Sequence, residues 1–423
     1  MIVYKFGGAS VRDTNGIKNL RNIILAEENN LVIVVSAFGK TTNALEEVLK
    51  LWHNGGDYSG KLNEIYAYHV EVAGSLPGSH DNTVDLFTSS FFRLKDWLRI
   101  NRPGRFDHDY DQIVSYGEIW STIIVAGYLN NNGVEVVWKD ARECIVTDDR
   151  FRDANVYWEE SGARVKKEFN FNNESRYLTQ GFIGGTVAGE TTTLGREGSD
   201  YTAAIIGNLL DAEKVVVWKD VPGILNADPK WLEGAELLGE ISYKEAVEMT
   251  FSGAKVIHPK TIKPLHNKNI PLHVRSFINP EGNGTVIRAE AERDIPVPVY
   301  IRKETQILIS ILPKDFSFVM GDNLGKVFHA FTTHGVKVNL VQASAVSINV
   351  CADDERERIV SLINDLGDDF KAIYNDNVEM LSIRHYTPAS IEKITLGREV
   401  LLEQKTRRIV RFVVRSDEGK TGK

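Results

Sequence analysis

Cysteine is scarce: Cys144 and Cys351 are the only 2 in 423 residues, and they lie far apart. That excludes a disulfide scaffold and a cysteine-built zinc site. No apolar run approaches the roughly 20 residues that a membrane-crossing helix needs. The opening Met1-Ile2-Val3-Tyr4-Lys5-Phe6 reads as a strand, not as a charged-then-apolar leader. Positive charge is not in excess either: 50 Lys and Arg against 58 Asp and Glu leave −8. Neither a nucleic acid nor an anionic membrane is therefore expected as a partner. Apolar residues at 42% and charged residues at 26% are ordinary globular usage, which rules out wholesale disorder. At this length two to four domains are expected. The balance points to a cytoplasmic, multidomain enzyme.

The usual nucleotide and metal signatures are also missing. Gly39-Lys40-Thr41 follows a buried run, like the end of a P-loop, but the glycine needed five positions before Gly39 is Val34. Neither GxGxxG nor HExxH occurs. Asp107-His108-Asp109-Tyr110-Asp111 has metal-ligand types, yet it follows Pro103-Gly104 and reads as a solvated turn. No protein-built metal site is expected. The seven tryptophans are scattered and read as core or interface.

What is there is an alternation of strand and helix. Residues 2–6 are β-rich, 15–28 carry apolar residues at helical spacing, and 31–35 are a continuous Val/Ile run. Such a run suits a strand buried on both faces, so the unit is βαβ and the sheet parallel. Residues 59–102 read as a helical insertion, 116–131 as helix, and 134–138 and 176–183 as strands. Helix at 200–210, strand at 214–218, helix at 243–251 and strand at 273–276 follow. One α/β domain over 1–290 accounts for this pattern. Pro296, Pro298 and charges mark 287–302 as a linker. A βαββαβ series of ferredoxin-like type then fills 303–375. A looser series, with helix at 388–403, fills 376–416, and the 291–305 segment is its candidate completion. The polar end, Gly419-Lys420-Thr421, reads as a frayed tail.

Chemistry is carried by Gly/Ser/Thr-rich turns, each directly after a strand. In Lys5-Phe6-Gly7-Gly8-Ala9-Ser10 two glycines let the backbone approach an anion, and Lys5 adds a point charge. Ser36 to Asn43 follows the next strand with hydroxyl and amide groups. Gly181-Phe182-Ile183-Gly184-Gly185 precedes Thr191-Thr192-Thr193-Leu194-Gly195-Arg196-Glu197-Gly198-Ser199-Asp200, which ends where a helix begins. Arg196 suits a carboxylate, and Asp200 suits orienting Lys5 or a metal. Ser199 or Asp200 is expected to cap the helix.

These residues resemble the aspartate kinases. Lys5 to Val11 is similar to the family's KFGGTSV, and Thr192 to Asp200 to TTLGRGGSD. Lys219-Asp220-Val221-Pro222-Gly223-Ile224 with Asn226-Ala227-Asp228-Pro229 resembles its nucleotide loop, and Phe251 to Pro259 resembles FGAKVLHP. Tyr116-Gly117-Glu118 and Ser36-Ala37 with Thr42-Asn43 complete six motifs in order. The resemblance implies an amino acid kinase fold, a mainly parallel sheet between helices, followed by two ACT modules of ferredoxin-like type. It implies transfer of the ATP γ-phosphate, with Mg²⁺, to the β-carboxylate of L-aspartate. By the same resemblance Lys5 stabilises the transferring phosphoryl group and Asp200 organises the catalytic lysines. Arg196 holds the α-carboxylate, Glu118 the α-ammonium group, and Thr42 and Ser199 also face the amino acid. Lys5, Gly7, Gly8, Ser10, Lys219, Asp220, Lys230, Lys255 and His258 fall where the family binds nucleotide. Asn323, Leu324, Lys337, Val338 and Asn339 fall in the effector loop of the first ACT module.

The chemistry agrees with these residue types. A carboxylate is already a nucleophile, so positioning and charge stabilisation suffice without a general base. This chain departs from the family at Ala9, Glu197, Lys219, Leu225 and Lys230. At Asn339, lysine-sensitive relatives tend to carry an aspartate, and Asn supplies no countercharge. The expectation is a monofunctional enzyme of lysine, threonine and methionine synthesis. A homodimer through its ACT modules is expected, with the feedback effector open between lysine, threonine and neither. The rivals are a glutamate or N-acetylglutamate kinase of the same fold and a non-catalytic amino-acid sensor.

Overall fold

Ile2–Phe6 (β1) and Leu31–Val35 (β2) are buried along their whole lengths, the signature of inner strands in a sheet covered on both faces. The computed structural model describes residues 1–78, 81–254, 257–291, 295–315 and 317–415. They fall into two units. The first takes Met1–Ile224, Leu237–Val247 and Ile257–Arg293; the second takes Leu225–Glu236, Glu248–Val256 and Asp294–Lys423.

In the first unit the further strands are β3 (Val137–Lys139), β4 (Val146–Thr147), β5 (Arg176–Gln180), β6 (Ile183–Thr186), β7 (Thr191–Thr193), β8 (Lys214–Lys219), β9 (Glu240–Ser242), β10 (Leu272–Ser276) and β11 (Thr285–Arg288). Eight of them form one sheet in the order β3-β5-β2-β1-β8-β10-β11-β9, while β4, β6 and β7 form a small one. Among the described residues of the large sheet only β10 and β11 pair antiparallel. Lys5 on β1 is level with Val34 on β2 and Val217 on β8. The ends of β1, β2, β5 and β8 therefore share one edge of the sheet, where ligands bind in such folds.

The expected strand at 176–183 breaks in two, because Phe182 takes a left-handed backbone with φ +68°. Residues 59–102 hold the helices Ser59–Ser75 and Asp81–Ile100. The acid-rich run at 107–111 is not a turn. It opens the long helix Phe106–Asn131, whose first turn carries Asp107 and Asp109, where the helix dipole favours negative charge. Helix spacing turns Trp120 inward against Phe87, Phe91 and the fully buried His69. Burial pushes that imidazole down to about 4, so it packs as a neutral ring.

The second unit is built on one six-stranded antiparallel sheet. Its strands are β12 (Val299–Pro313), β13 (Val338–Ala343), β14 (Ile348–Asp353), β15 (Phe370–Arg384), β16 (Val400–Lys405) and β17 (Ile409–Arg415), in the order β13-β14-β12-β15-β17-β16. Two expectations fail here, the linker at 287–302 and the helix at 388–403. The linker at 287–302 is partly strand, since β11 runs to Arg288 and β12 begins at Val299. Strands β12 and β15, 15 residues each, run through both βαββαβ patterns and join them in a single sheet. The helix expected over 388–403 ends at Thr395. Gly397 then takes φ +76°, a turn conformation suited to glycine, and residues 400–405 become an edge strand. Alternation places Ile307, Ile309 and Ile311 in one core cluster and Leu308 in another.

Both cysteines are buried, and burial pushes each thiol up to about 12. Among the described residues no helix is long and apolar enough to cross a membrane.

Candidate active site

The turns after β1, β2 and β5 and the start of the helix Gly198–Leu209 surround a cavity of about 550 Å³. Close backbone approach makes it possible. A Cβ at Gly8 would collide with the carbonyl oxygen of Ala37, and one at Gly181 with the Ser199 side chain. Glycine is required at both places. Ser10 is buried and its N–H donates to the Gly7 carbonyl at 3.0 Å, closing the first turn.

At the floor, Lys5 Nζ lies 2.6 Å from Asp200 Oδ1, and Lys219 Nζ lies 3.6 Å from Asp200 Oδ2. Lys5 comes from mid-β1 and Lys219 from the end of β8, so neighbouring strands bring the two cations to one carboxylate. Burial alone would raise the Asp200 carboxyl; the charges of Lys5 and Lys219 outweigh it and hold the group below the usual range. The expected cap role is not filled by Ser199 or Asp200. The helix begins after Glu197, which takes φ +54° and makes no side-chain cap bond. This leaves the Asp200 carboxylate for the lysines.

Glu118 lines the same cavity from the long helix and is 3% exposed. Burial pushes its carboxyl up to about 8, against the pull of the Ala37 N–H and the Lys5 charge. Its Oε2 has no hydrogen-bond partner among the described residues. Such an oxygen costs free energy until a donor reaches it. Thr42, Ser199 and the exposed Arg196 also line the cavity.

The other expected residues lie elsewhere. Gly7 stands beside Lys5, since a Cβ there would be 3.5 Å from its Nζ. Asp220 is exposed and is not among the cavity's lining residues. The His258 N–H donates to Glu197 Oε2 at 3.0 Å, and its ring caps the helix Pro259–Asn267. Lys230, exposed, belongs to the second unit, where its N–H donates to Asp228 Oδ1 at 2.9 Å. Lys255 lies outside the described residues. Asn323 and Leu324 open the helix Asp322–Thr333, and the Asn323 amide donates to Ser317 Oγ at 2.9 Å. Lys337 is exposed, and Val338 is half-buried at the start of β13. Asn339 is buried, with its amide oxygen 2.7 Å from Lys303 Nζ and its amide nitrogen donating to Gln306 and Asp353.

Sequence reasoning missed Asp111, Tyr110 and Arg152. Tyr110 and Arg152 line the cavity. Asp111, fully buried, accepts from the Thr193 N–H at 2.8 Å, the Thr193 hydroxyl at 2.7 Å and the Arg152 N–H at 3.0 Å. Burial pushes its carboxyl up to about 6 despite these donors. The signal available for Tyr110 and Asp111 was Pro103-Gly104 followed by alternating acids, which marks a helix start and had been read as a turn.

Two lysines sharing a buried carboxylate at the tips of parallel strands, opposite a carboxylate and an arginine, define a small-molecule phosphotransferase. The amino acid kinase family model matches residues 1–276. The chain is 31% identical over 359 residues to the lysine-sensitive aspartokinase 3 of Escherichia coli, covering 84% of this chain and 78% of that protein. It is 29% identical over 381 residues to a bifunctional aspartokinase/homoserine dehydrogenase 2 of Zea mays, covering 87% of this chain but only 41% of that longer relative. Solved structures of E. coli aspartokinase III superpose with TM-scores of 0.81 (complex with aspartate and ADP) and 0.80 (complex with lysine and aspartate). Both are 26% identical and cover 99% of this chain, and 97% and 96% of theirs. The chain belongs to the amino acid kinase family and, within it, to the aspartokinases.

Proposed function

We propose that this protein transfers the γ-phosphoryl group of ATP to the β-carboxylate of L-aspartate, giving 4-phospho-L-aspartate. The observation that carries the reading is the Lys5–Asp200–Lys219 cluster sharing a cavity with Arg196 and Glu118. Arg196 takes the α-carboxylate in a forked, charge-assisted pair. Glu118 receives the α-ammonium group on its unpartnered oxygen, and Thr42 and Ser199 supply hydroxyls. The β-carboxylate then points at the floor. There Lys5, held by Asp200, stabilises charge on the phosphoryl group in flight. Lys219, first assigned to the nucleotide, joins Lys5 in that task. Gly7, Gly8 and Ser10 cradle the phosphates, while Asp220, Lys230, Lys255 and His258 remain assigned to the nucleotide.

Among the described residues no group of acids, histidines or cysteines is arranged to hold a metal ion. Mg²⁺ is therefore read as arriving on the nucleotide, whose phosphates supply its ligands and whose charge it offsets. The second unit, read as two ACT modules over 303–375 and 376–416, binds a feedback amino acid and pairs two copies of the chain. Lysine is favoured over threonine by the lysine complex of the E. coli relative. Asn339, already bonded within the chain, contributes shape to the effector loop rather than charge. The enzyme works in the cytoplasm, in lysine and threonine synthesis.

A hydroxylamine-trapping assay with ATP and Mg²⁺ tests the reading. Hydroxamate is expected with aspartate and not with glutamate or N-acetylglutamate. Product with glutamate alone would move the enzyme to a neighbouring activity, and no product with any acid would leave only a sensor. Lysine and threonine titrations decide the effector, and flat curves for both would remove feedback control.

A further inference from the structure

We infer that Arg152 is a second specificity-determining residue for the acceptor, binding its α-carboxylate together with Arg196. The inference rests on the aspartate kinase reading and deepens it. Arg152 and Arg196 line one cavity. Arg152 holds φ +68°, a left-handed backbone uncommon for a side chain of this size. Residues kept in such conformations are over-determined by their surroundings and concentrate at ligand sites. Here the determinant is visible. One oxygen of Asp111 accepts both the Arg152 N–H, at 3.0 Å, and the Thr193 N–H, at 2.8 Å. That oxygen ties the strained residue to the strand Thr191–Thr193, three residues before Arg196.

The side chain is also pre-positioned. Its guanidinium lies over the Tyr110 ring, 4.5 Å from the centroid, and Tyr110 is itself part of the cavity wall. A stacked guanidinium presents its edge as a planar fork suited to a carboxylate. Its one ion pair among the described residues is Nη1 with Asp107 Oδ1 at 3.2 Å, between side chains 45% and 55% exposed. So exposed a pair contributes little, and it leaves Nε and Nη2 without hydrogen-bond partners among the described residues. A surface brace would not need a left-handed backbone to place its head group over a cavity-lining ring.

The test is kinetic, with Arg152→Gly as the first variant because glycine takes φ +68° without strain. Its melting temperature is expected at or above that of the wild type. The aspartate KM is expected to rise about tenfold or more, the loss of one charged hydrogen-bonding partner. The KM for ATP should not move. Arg152→Lys, which keeps charge but loses the fork, is expected between the two. If both arginines hold one carboxylate, Arg196→Ala should add less to the Arg152→Gly enzyme than to the wild type. An unshifted aspartate KM in Arg152→Gly, or full additivity with Arg196→Ala, overturns the inference while the enzyme's activity stands. A wild-type enzyme that turns over no aspartate overturns the underlying reading instead.

Discussion

Lys5 Nζ stands 2.6 Å from Asp200 Oδ1, with 11% and 4% of the two side chains exposed. The pair spans two elements far apart in sequence, β1 and the first turn of the helix Gly198–Leu209. A carboxylate so placed fixes the lysine's head group before any substrate arrives. Pre-set charge of this kind is most of what phosphoryl transfer to a carboxylate asks of an enzyme.

Replacing Lys5 with Ala should lower kcat by about 10²–10³-fold or more, the usual cost of removing one charge-stabilising donor. Asp200 keeps Lys219 at 3.6 Å, so the circular dichroism spectrum should be unchanged. Near-normal turnover in a folded Lys5→Ala enzyme would show the role to be misassigned.

Arg196→Ala should act on a different constant. The aspartate KM is expected to rise at least about tenfold, with kcat and the ATP KM changed little, because the interaction is present before the transition state as well as in it. Steady-state kinetics with each substrate varied in turn will check it.

Glu118 makes stability depend on pH. Its carboxyl is raised from 4.5 to about 8 by burial. A folded value above the unfolded one lends stability that is complete below about 4.5 and is lost as pH climbs through about 8. Glu118→Gln, neutral at every pH, should therefore melt above the wild type at pH 9, with the gap closing by pH 5. Melting curves across that range, without aspartate, measure it; a gap that ignores pH would refute the assignment.

Asp111→Ala should destabilise the first unit by about 2–4 kcal/mol, because three donors lose their acceptor and the buried Thr193 N–H and hydroxyl are left unsatisfied. Asp111→Asn, which can still accept from part of the set, should lose less. Denaturant unfolding gives both values; an Ala variant as stable as the wild type would show that the Thr193 and Arg152 bonds carry no weight.

Much of this architecture could be read before any coordinates. A continuous Val/Ile run marked β2 as an inner strand, and the Gly7-Gly8 pair after β1 marked a place where backbone packs closely. The failures have local causes. The helix expected to reach residue 403 stops because Gly397 turns the chain, although the residues around it have mixed preferences. The acids at 107–111 were read by type and not by position, so a helix start passed for a turn.

Residue types and their order were enough to decide that strands would alternate with helices in the first unit, that its large sheet would be mainly parallel, and which turns would carry charge. Those features depend on periodicity and backbone freedom within a few neighbouring residues. Only the folded chain decided that Lys219 joins Lys5 on Asp200, that Glu118 is pushed toward neutrality, and that Asp111 braces the segment bearing Arg152. Each of these depends on which distant side chains share a dry space. Burial and the Coulomb field there are set by the whole packing, and no stretch of sequence contains them.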